Sequence, residues 1–147
     1  MALDEILFDE KNTRLQIEAE SWEAAVGVGG ELLVEQGCVE DSYINGMLQK
    51  VNKHRMDVVI AEGIAIPHTR YEDGAFRVGV SLVTLKTPLS FAESEEKVKI
   101  VLCFSAMNIQ DYWHMVSFAL DLIEYDVLDQ LAEAKTLEEV RSVMALC

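Results

Sequence analysis

The residues best suited to chemistry in this chain are its three histidines, His54, His68 and His114. His68 directly follows Pro67 at the end of the apolar run "GIAIP", and a charged loop that closes on Gly74 comes next. Proline cannot donate to a sheet, so it ends the strand and fixes the direction in which the next residue leaves. The pattern predicts an imidazole that projects into solvent at the carboxyl end of a strand, where open α/β sheets place their sites. An incidental loop histidine is the alternative that this spacing leaves open.

Three kinds of chemistry suit such a histidine. A nucleophilic triad needs a serine or cysteine nucleophile, but the chain has no GxSxG elbow and no catalytic-cysteine signature. A metal site needs clustered ligands, whereas the histidines show neither HExxH nor Cys/His spacing. The remaining role is direct attack by the neutral ring on a phosphoryl group, with a covalent phosphohistidine as the intermediate. This role requires a rigidly held ring and hydrogen-bond donors for the phosphoryl oxygens. It needs neither a metal nor a nucleotide pocket, so we expect no metal and no cofactor.

The net charge limits the partners of the chain. Acidic residues number 26 against 12 basic ones, which gives a net charge of −14. Nucleic acid and anionic membrane surfaces both require lysine and arginine, so the composition argues against either partner. A plain solvated surface or a surface that meets basic protein partners fits this acidity.

The chain also lacks the signals of export and membrane insertion. Its start, "MALDEILFDEKN", carries acids where a signal peptide needs a basic segment, and no apolar run approaches the ~18 residues of a membrane span. The three cysteines are widely spaced and include no CxxC pair, which suits a reducing compartment. We therefore predict a cytoplasmic protein with no direct membrane insertion.

The hydrophobic pattern indicates one domain that spans residues 1–147. Two early segments, "WEAAVGVGGELLVEQG" and "VEDSYINGMLQKVNKH", have helical spacing, and helices return after residue 110. β-branched runs between them predict the strands of a sheet. The predicted fold is α/β, a mixed and mostly parallel sheet of about five strands with helices on both faces. The predicted strands are "RLQI", "VVIA", "GIAIP", "RVGVSLVTLK" and "KIVLCFSA".

The stretch "EGIAIPHTR", with "MDVVIA" ahead of it, resembles the phosphorylation-site signature of a known family. This family comprises the enzyme IIA (EIIA) components of the sugar phosphotransferase system, of the mannitol–fructose type. The resemblance extends over essentially the whole chain, which it identifies as an EIIA type-2 domain. The segments that look most like the ascorbate-type branch are "TRLQIEAESWEAAVGVGGELL", "PHTRYEDG" and "GVSLVTLKTPLSF".

The resemblance implies a phosphoryl carrier with protein partners. His68 would accept the group from the phosphohistidine of the carrier protein HPr and pass it to a cysteine of the cognate enzyme IIB, which serves the membrane component IIC. The sugar implied by the branch is L-ascorbate, while galactitol or another polyol stays open because enzyme IIA never touches the sugar. A regulatory module that shares the histidine signature, and signals through its phosphorylation state, is the alternative function.

The resemblance also implies helpers for His68. His114, in "DYWHMVSF", matches a second histidine of the family and would donate to a phosphoryl oxygen; a polar cap on an apolar helix face is its alternative. Lys50 stands nearest to the place where mannitol-type members carry an arginine, although a lysine cannot give the bidentate fork of an arginine. Arg70 is the basic residue expected beside the phosphoryl group, whereas Lys50 and Arg55 also fit solvated residues at a helix end.

Overall fold

A five-stranded sheet forms the middle layer of the structure, with its strands in the order β1-β4-β5-β3-β2. The computed structural model describes residues 6–147; the first five residues, on which part of the signal-peptide prediction rests, lie outside the described residues. The strands are β1 Thr13–Ile17, β2 Val59–Ala61, β3 Gly63–Ala65, β4 Gly79–Ser90 and β5 Lys97–Ser105. The predicted mixed sheet of about five strands is confirmed.

The strand directions differ from the mostly parallel arrangement predicted. β1 is parallel to β4 and β3 is parallel to β5, but β4 with β5 and β2 with β3 are antiparallel. The connections explain the difference, since Glu62 alone joins β2 to β3 and residues 91–96 join β4 to β5. Connections this short permit only antiparallel neighbours, because a parallel pair needs a long crossover. The prediction of a mostly parallel sheet was therefore wrong.

Helices cover both faces of the sheet, as predicted. Successive residues of β5 point to opposite faces, so Val101 and Cys103 join one buried cluster while Leu102 and Phe104 join the other. The first cluster packs under α1 and α2, and the second packs under α3, α4 and α5. The helices are α1 Trp22–Glu35, α2 Asp41–Lys53, α3 Ile109–Glu124, α4 Leu128–Glu133 and α5 Leu137–Met144. Over the residues described, no helix is long and apolar enough to cross a membrane.

Glycines let α1 lie close to the sheet and to α2. A Cβ atom added at Gly29 would come within 2.6 Å of Cys103 Sγ on β5, and one added at Gly30 within 2.7 Å of Ile44 Cγ1 on α2. Gly27 lies in the same helix, but an added Cβ there would meet nothing within 4 Å. All three glycines weaken the helix by propensity, but only Gly29 and Gly30 are needed for close packing, since Gly27 has open space beside it.

These glycines give a matched test of the packing. Gly29→Ala should lower the free energy of unfolding by about 1–3 kcal/mol, because the added methyl overpacks the contact with Cys103. Gly27→Ala should raise it by about 0.5–1 kcal/mol, because alanine favours the helix and open space receives its methyl. Urea unfolding of both variants would measure the two changes. Equal effects of the two substitutions would contradict the close approach at Gly29.

Candidate functional site

His68 lies where two parallel strands end side by side. β3 and β5 are parallel neighbours, so their carboxyl ends meet at one edge of the sheet. Beyond β3 the chain stays alongside β5, because Phe104 N–H donates to Pro67 O at 3.1 Å. His68 follows directly and leaves the sheet at this edge, beside the start of α3. Its predicted place at the carboxyl end of a strand is confirmed.

The imidazole is buried, contrary to the prediction that it projects into solvent. Only 3% of His68 is exposed. Its ring stacks on Phe104, with the ring centroids 4.6 Å apart and the planes 13° from parallel. The ring of Tyr112 covers it from α3 at 5.5 Å. The flat face of a neutral imidazole packs well against aromatic rings, and only the edge of the ring borders a surface pocket of about 330 Å³.

The two nitrogens of His68 have different partners. Nδ1 lies 2.7 Å from Ile66 O. A carbonyl oxygen can only accept, so Nδ1 carries the proton and donates it. In the neutral ring the lone pair is then on Nε2, which lies 3.3 Å from Nζ of Lys50. A lysine ammonium can only donate, so both contacts agree on the same tautomer and leave Nε2 as the nucleophilic atom.

Burial keeps His68 neutral. The pKa of His68 is lowered from 6.5 to about 4, chiefly by desolvation and in smaller part by the positive charge of Lys50. The hydrogen bond to Ile66 and the negative charge of Asp57 act in the opposite direction but are outweighed. At neutral pH the ring is therefore uncharged, which is the form required for nucleophilic attack.

The pocket brings together three of the four predicted site residues. Lys50 reaches it from α2, and His68 and Arg70 reach it from the loop after β3. The β5–α3 connection and the first turn of α3 form the opposite wall. The lining consists of Lys50, His68, Thr69, Arg70, Tyr71, Glu72, Ala106, Asn108, Ile109 and Tyr112.

Arg70 is held at the rim of the pocket by an acidic neighbour. Its Nε lies 3.1 Å from Asp73 Oδ1, and its side chain is 72% exposed. The other carboxylate oxygen of Asp73 accepts from Thr69 Oγ1 at 2.6 Å. These two hydrogen bonds lower the pKa of Asp73, that from Thr69 most strongly. The loop after His68 thus carries its own ion pair, and the rest of the guanidinium is left facing solvent.

His114 is not part of the pocket lining. It lies half-buried on α3, two residues after Tyr112. Residues two apart are separated by about 200° around a helix axis, so they project from nearly opposite sides of the helix. Tyr112 is the one whose ring faces His68. The phosphoryl-stabilising role predicted for His114 stays a prediction.

Several site residues escaped the sequence reasoning. Tyr112, Phe104 and Asn108 border His68 or its pocket, yet the aromatic residues resembled ordinary core positions. Tyr112 could have been found from the sequence, because it lies in the stretch "DYWHMVSF" that was singled out for His114. For a metal, the structure offers no group of three or more His, Cys, Asp and Glu side chains within residues 6–147.

The family of the chain follows from its whole sequence. The model of the family described as "Phosphoenolpyruvate-dependent sugar phosphotransferase system, EIIA 2" matches residues 6–146. The chain belongs to this family. It is therefore a phosphotransferase, the EIIA phosphocarrier component of such a system, and the resemblance noted in the sequence is confirmed.

Individual EIIA relatives agree with this assignment. The chain is 36% identical over 143 residues to the ascorbate-specific PTS system EIIA component of Shigella flexneri, covering 95% of this chain and 93% of that protein. The crystal structure of IIA mannitol from Escherichia coli matches with a TM-score of 0.80 at 26% identity, over 95% of this chain and 99% of that one. A complex of enzyme IIA and phosphorylated enzyme IIB for mannitol from Escherichia coli matches with a TM-score of 0.79 at 25% identity, over 95% and 97%. EIIA domains thus partner with EIIB.

The neutral state of His68 can be tested by titration. We expect its ring resonances to titrate with a midpoint of about 4 and those of Lys50→Met to titrate at a higher pH, because a neighbouring cation has been removed. NMR of the ring protons would measure both midpoints, with Lys50→Arg as the charge-preserving control. A midpoint near the unperturbed value of about 6.5 in the wild type would contradict the buried geometry.

The same pKa has a consequence for stability. The folded-state pKa of His68 is depressed, so between about pH 4 and 6.5 the unfolded chain binds more protons at this residue than the folded one. The contribution of His68 to the free energy of unfolding is therefore complete above the unfolded pKa and is lost as the pH falls towards the folded pKa.

Proposed function

We propose that this chain accepts a phosphoryl group on Nε2 of His68 from the phosphohistidine of HPr and passes it to a cysteine of its cognate enzyme IIB. It does so in the cytoplasm, and the onward transfer serves the uptake and phosphorylation of L-ascorbate through the membrane component IIC. The observation that carries the proposal is a neutral imidazole in the lining of an open pocket, with Nδ1 bound to Ile66 O and Nε2 beside Nζ of Lys50.

The transfer balances without any cofactor. Lys50 N–H first turns from Nε2 to a phosphoryl oxygen, which frees the lone pair of Nε2. The lone pair then attacks phosphorus, a new P–N bond forms, and the P–N bond to the donor histidine breaks. A donor ring that is protonated on its second nitrogen leaves as neutral imidazole. His68 then carries the positive charge, and its Nδ1–H still donates to Ile66 O. In the second step a thiolate of enzyme IIB attacks phosphorus, and His68 leaves as a neutral ring.

Cations around the pocket suit a group with developing negative charge. Nζ of Lys50 lies 3.3 Å from Nε2, so a phosphoryl group bonded there would lie next to the ammonium. Arg70 would contribute from the rim with the guanidinium N–H groups that Asp73 does not hold. The N-terminus of α3, at Asn108 and Ile109, adds the favourable field of the helix dipole.

Exposed apolar side chains beside the pocket favour docking by another protein. Tyr71 and Ile109 line the pocket and remain 49% and 66% exposed, and Trp113 on the next turn of α3 is 55% exposed. A partner that covers these side chains would bring its own phosphoryl-carrying residue up to Nε2. HPr and enzyme IIB would use this face in turn, and the acidic surface elsewhere would speed encounter with basic partners.

The choice of L-ascorbate comes from relatives and not from the pocket. The EIIA component of Shigella flexneri that aligns over 95% of this chain is named as ascorbate-specific. The pocket around His68 serves a phosphoryl group that is bound to proteins, so none of its residues would select a sugar. Deleting the protein from its own cell should therefore stop growth on ascorbate and leave growth on galactitol unchanged. Loss of growth on galactitol instead would reassign the substrate.

The site of phosphorylation can be mapped directly. Incubation with phosphorylated HPr should place one acid-labile phosphate on His68, and His68→Ala should abolish both labelling and transfer to enzyme IIB. His54→Ala serves as the matched control and should be labelled like the wild type, because His54 lies at the end of α2 outside the pocket lining. Phosphate found on His54 or His114 of the His68→Ala protein would overturn the proposal.

His114 is proposed to act when the partner is bound. Because it lies outside the pocket lining in the free chain, we expect His114→Ala to accept phosphate from HPr normally but to transfer it to enzyme IIB at least about tenfold more slowly, as for a lost charge-stabilising donor. Rapid-mixing measurements of both half-reactions would separate the two steps. Tyr112→Phe, which keeps the aromatic contact with His68, tests whether the neighbouring phenol supplies this donor instead. Unchanged onward transfer by His114→Ala would make His114 a polar cap of α3.

A further inference from the structure

The hydroxyl group of Tyr43 joins three parts of the structure beneath the site. Tyr43 lies in the first turn of α2 and is fully buried. Its hydroxyl oxygen is 2.8 Å from Phe104 O on β5. The same oxygen is 3.2 Å from Thr69 N and 3.1 Å from Thr69 O, in the loop after His68. This hydroxyl therefore connects α2, β5 and the loop at one point.

The direction of these hydrogen bonds follows from the single proton of the phenol. Thr69 N–H donates to the hydroxyl oxygen, and the hydroxyl donates to the nearer carbonyl, that of Phe104. Burial raises the pKa of Tyr43, so the donor proton is retained at every pH of interest. Thr69 follows His68 in the chain, and the ring of Phe104 stacks on its imidazole. The hydroxyl thus binds the backbone of the residue that follows His68 and the backbone of the residue whose ring supports the imidazole.

The same helix also carries the cation that faces Nε2. Tyr43, Met47 and Lys50 are spaced i, i+4 and i+7, so they lie on one face of α2. Tyr43 and Met47 are fully buried, while Lys50 ends at the pocket with Nζ 3.3 Å from His68 Nε2. A shift of α2 relative to β5 would move Lys50 relative to the ring. The hydrogen bond from Tyr43 to Phe104 O opposes such a shift.

A second contact presses the loop against α2. A Cβ atom added at Gly46 would come within 2.8 Å of Asp73 Oδ2 and 2.9 Å of Thr69 Cγ2. Ser42 Oγ donates to Asp73 O at 2.7 Å. The loop that carries Arg70 is thus seated on the helix at two places, one held by the Tyr43 hydroxyl and one that requires a glycine.

We propose that Tyr43 is a positioning residue for phosphoryl transfer, whose hydroxyl keeps the His68 ring and the Lys50 ammonium aligned by tying α2 to β5 and to the loop after His68. The inference rests on the proposed function of His68. It assigns to a fully buried side chain, without any contact to the phosphoryl group, an influence on the rate of transfer.

The decisive variant is Tyr43→Phe, which keeps the ring and removes only the hydroxyl. In single-turnover transfer from phosphorylated HPr, we expect the maximal rate to fall at least about tenfold, as for a misaligned nucleophile, while the half-saturating HPr concentration changes less than about twofold. The titration midpoint of His68 should also rise, because Lys50 no longer holds its place beside Nε2. A merely structural hydroxyl would leave both the maximal rate and this midpoint unchanged.

Ser81→Ala is the matched control. It also removes one fully buried hydroxyl, which donates to Gly29 O at 2.8 Å on the side of the sheet under α1. Urea unfolding would show what each hydroxyl contributes to stability, and Ser81→Ala should transfer phosphate at the wild-type maximal rate. An equal fall in the maximal rate of both variants would overturn the proposal, since the effect would then follow from stability alone.

Gly46→Ala tests the same seat if Tyr43→Phe does not fold. Its added methyl would come within 2.9 Å of Thr69 Cγ2, so it pushes the loop away from α2 and lengthens the hydrogen bond from Thr69 N–H to the Tyr43 hydroxyl. We therefore expect a lower maximal rate here too. Wild-type protein that accepts no phosphate from HPr would remove the proposed function and this inference with it. Wild-type transfer together with full-rate transfer by Tyr43→Phe, or by Gly46→Ala where it stands in, would overturn the inference alone.

Discussion

The hydrogen bond between Nδ1 of His68 and the carbonyl of Ile66 is the constraint on which the site depends. It spans two residues across Pro67, and its 2.7 Å length fixes which nitrogen carries the proton. Once the ring is oriented in this way, its face must lie on Phe104 and its Nε2 must point towards Lys50. The tautomer and the direction of Nε2 follow from one bond to a backbone atom, so no carboxylate is needed to orient the ring. The low pKa has another cause, chiefly burial of the ring, and the bond to Ile66 opposes it.

The sequence predicted the local parts of this arrangement. A strand that ends in Pro-His places His68 at the edge of a sheet, and the nearby cations Lys50 and Arg70 do meet it. Burial of the ring was not predictable in the same way, because it depends on Phe104 and Tyr112, which are distant in sequence and come close only when β3 pairs with β5. The antiparallel pairs could have been anticipated, since a single residue between two strands leaves no room for a crossover.

Two cations reach the pocket of an otherwise acidic molecule. The chain carries a net charge of −14, yet Lys50 and Arg70 outnumber Glu72 among the charged residues of the pocket. Of the two, Lys50 faces Nε2 of His68, whereas Arg70 is paired with Asp73. In the proposed function these cations would act on the phosphoryl group at close range, whereas the overall charge would act at longer distance on the approach of partners and would be screened by salt.

The alternation of β5 separates two kinds of nucleophile. Cys103 and Phe104 are neighbours in the chain, but Phe104 supports the imidazole from one face of the sheet while Cys103 is sealed under α1 on the other. Burial raises the pKa of Cys103 to about 12, so its sulfur stays a protonated thiol. If the proposed acceptor is a cysteine of enzyme IIB, the phosphoryl group must not pass to a cysteine of this chain instead. Here the β-sheet itself lies between the His68 ring and the thiol of Cys103, whose neighbour in the chain supports that ring.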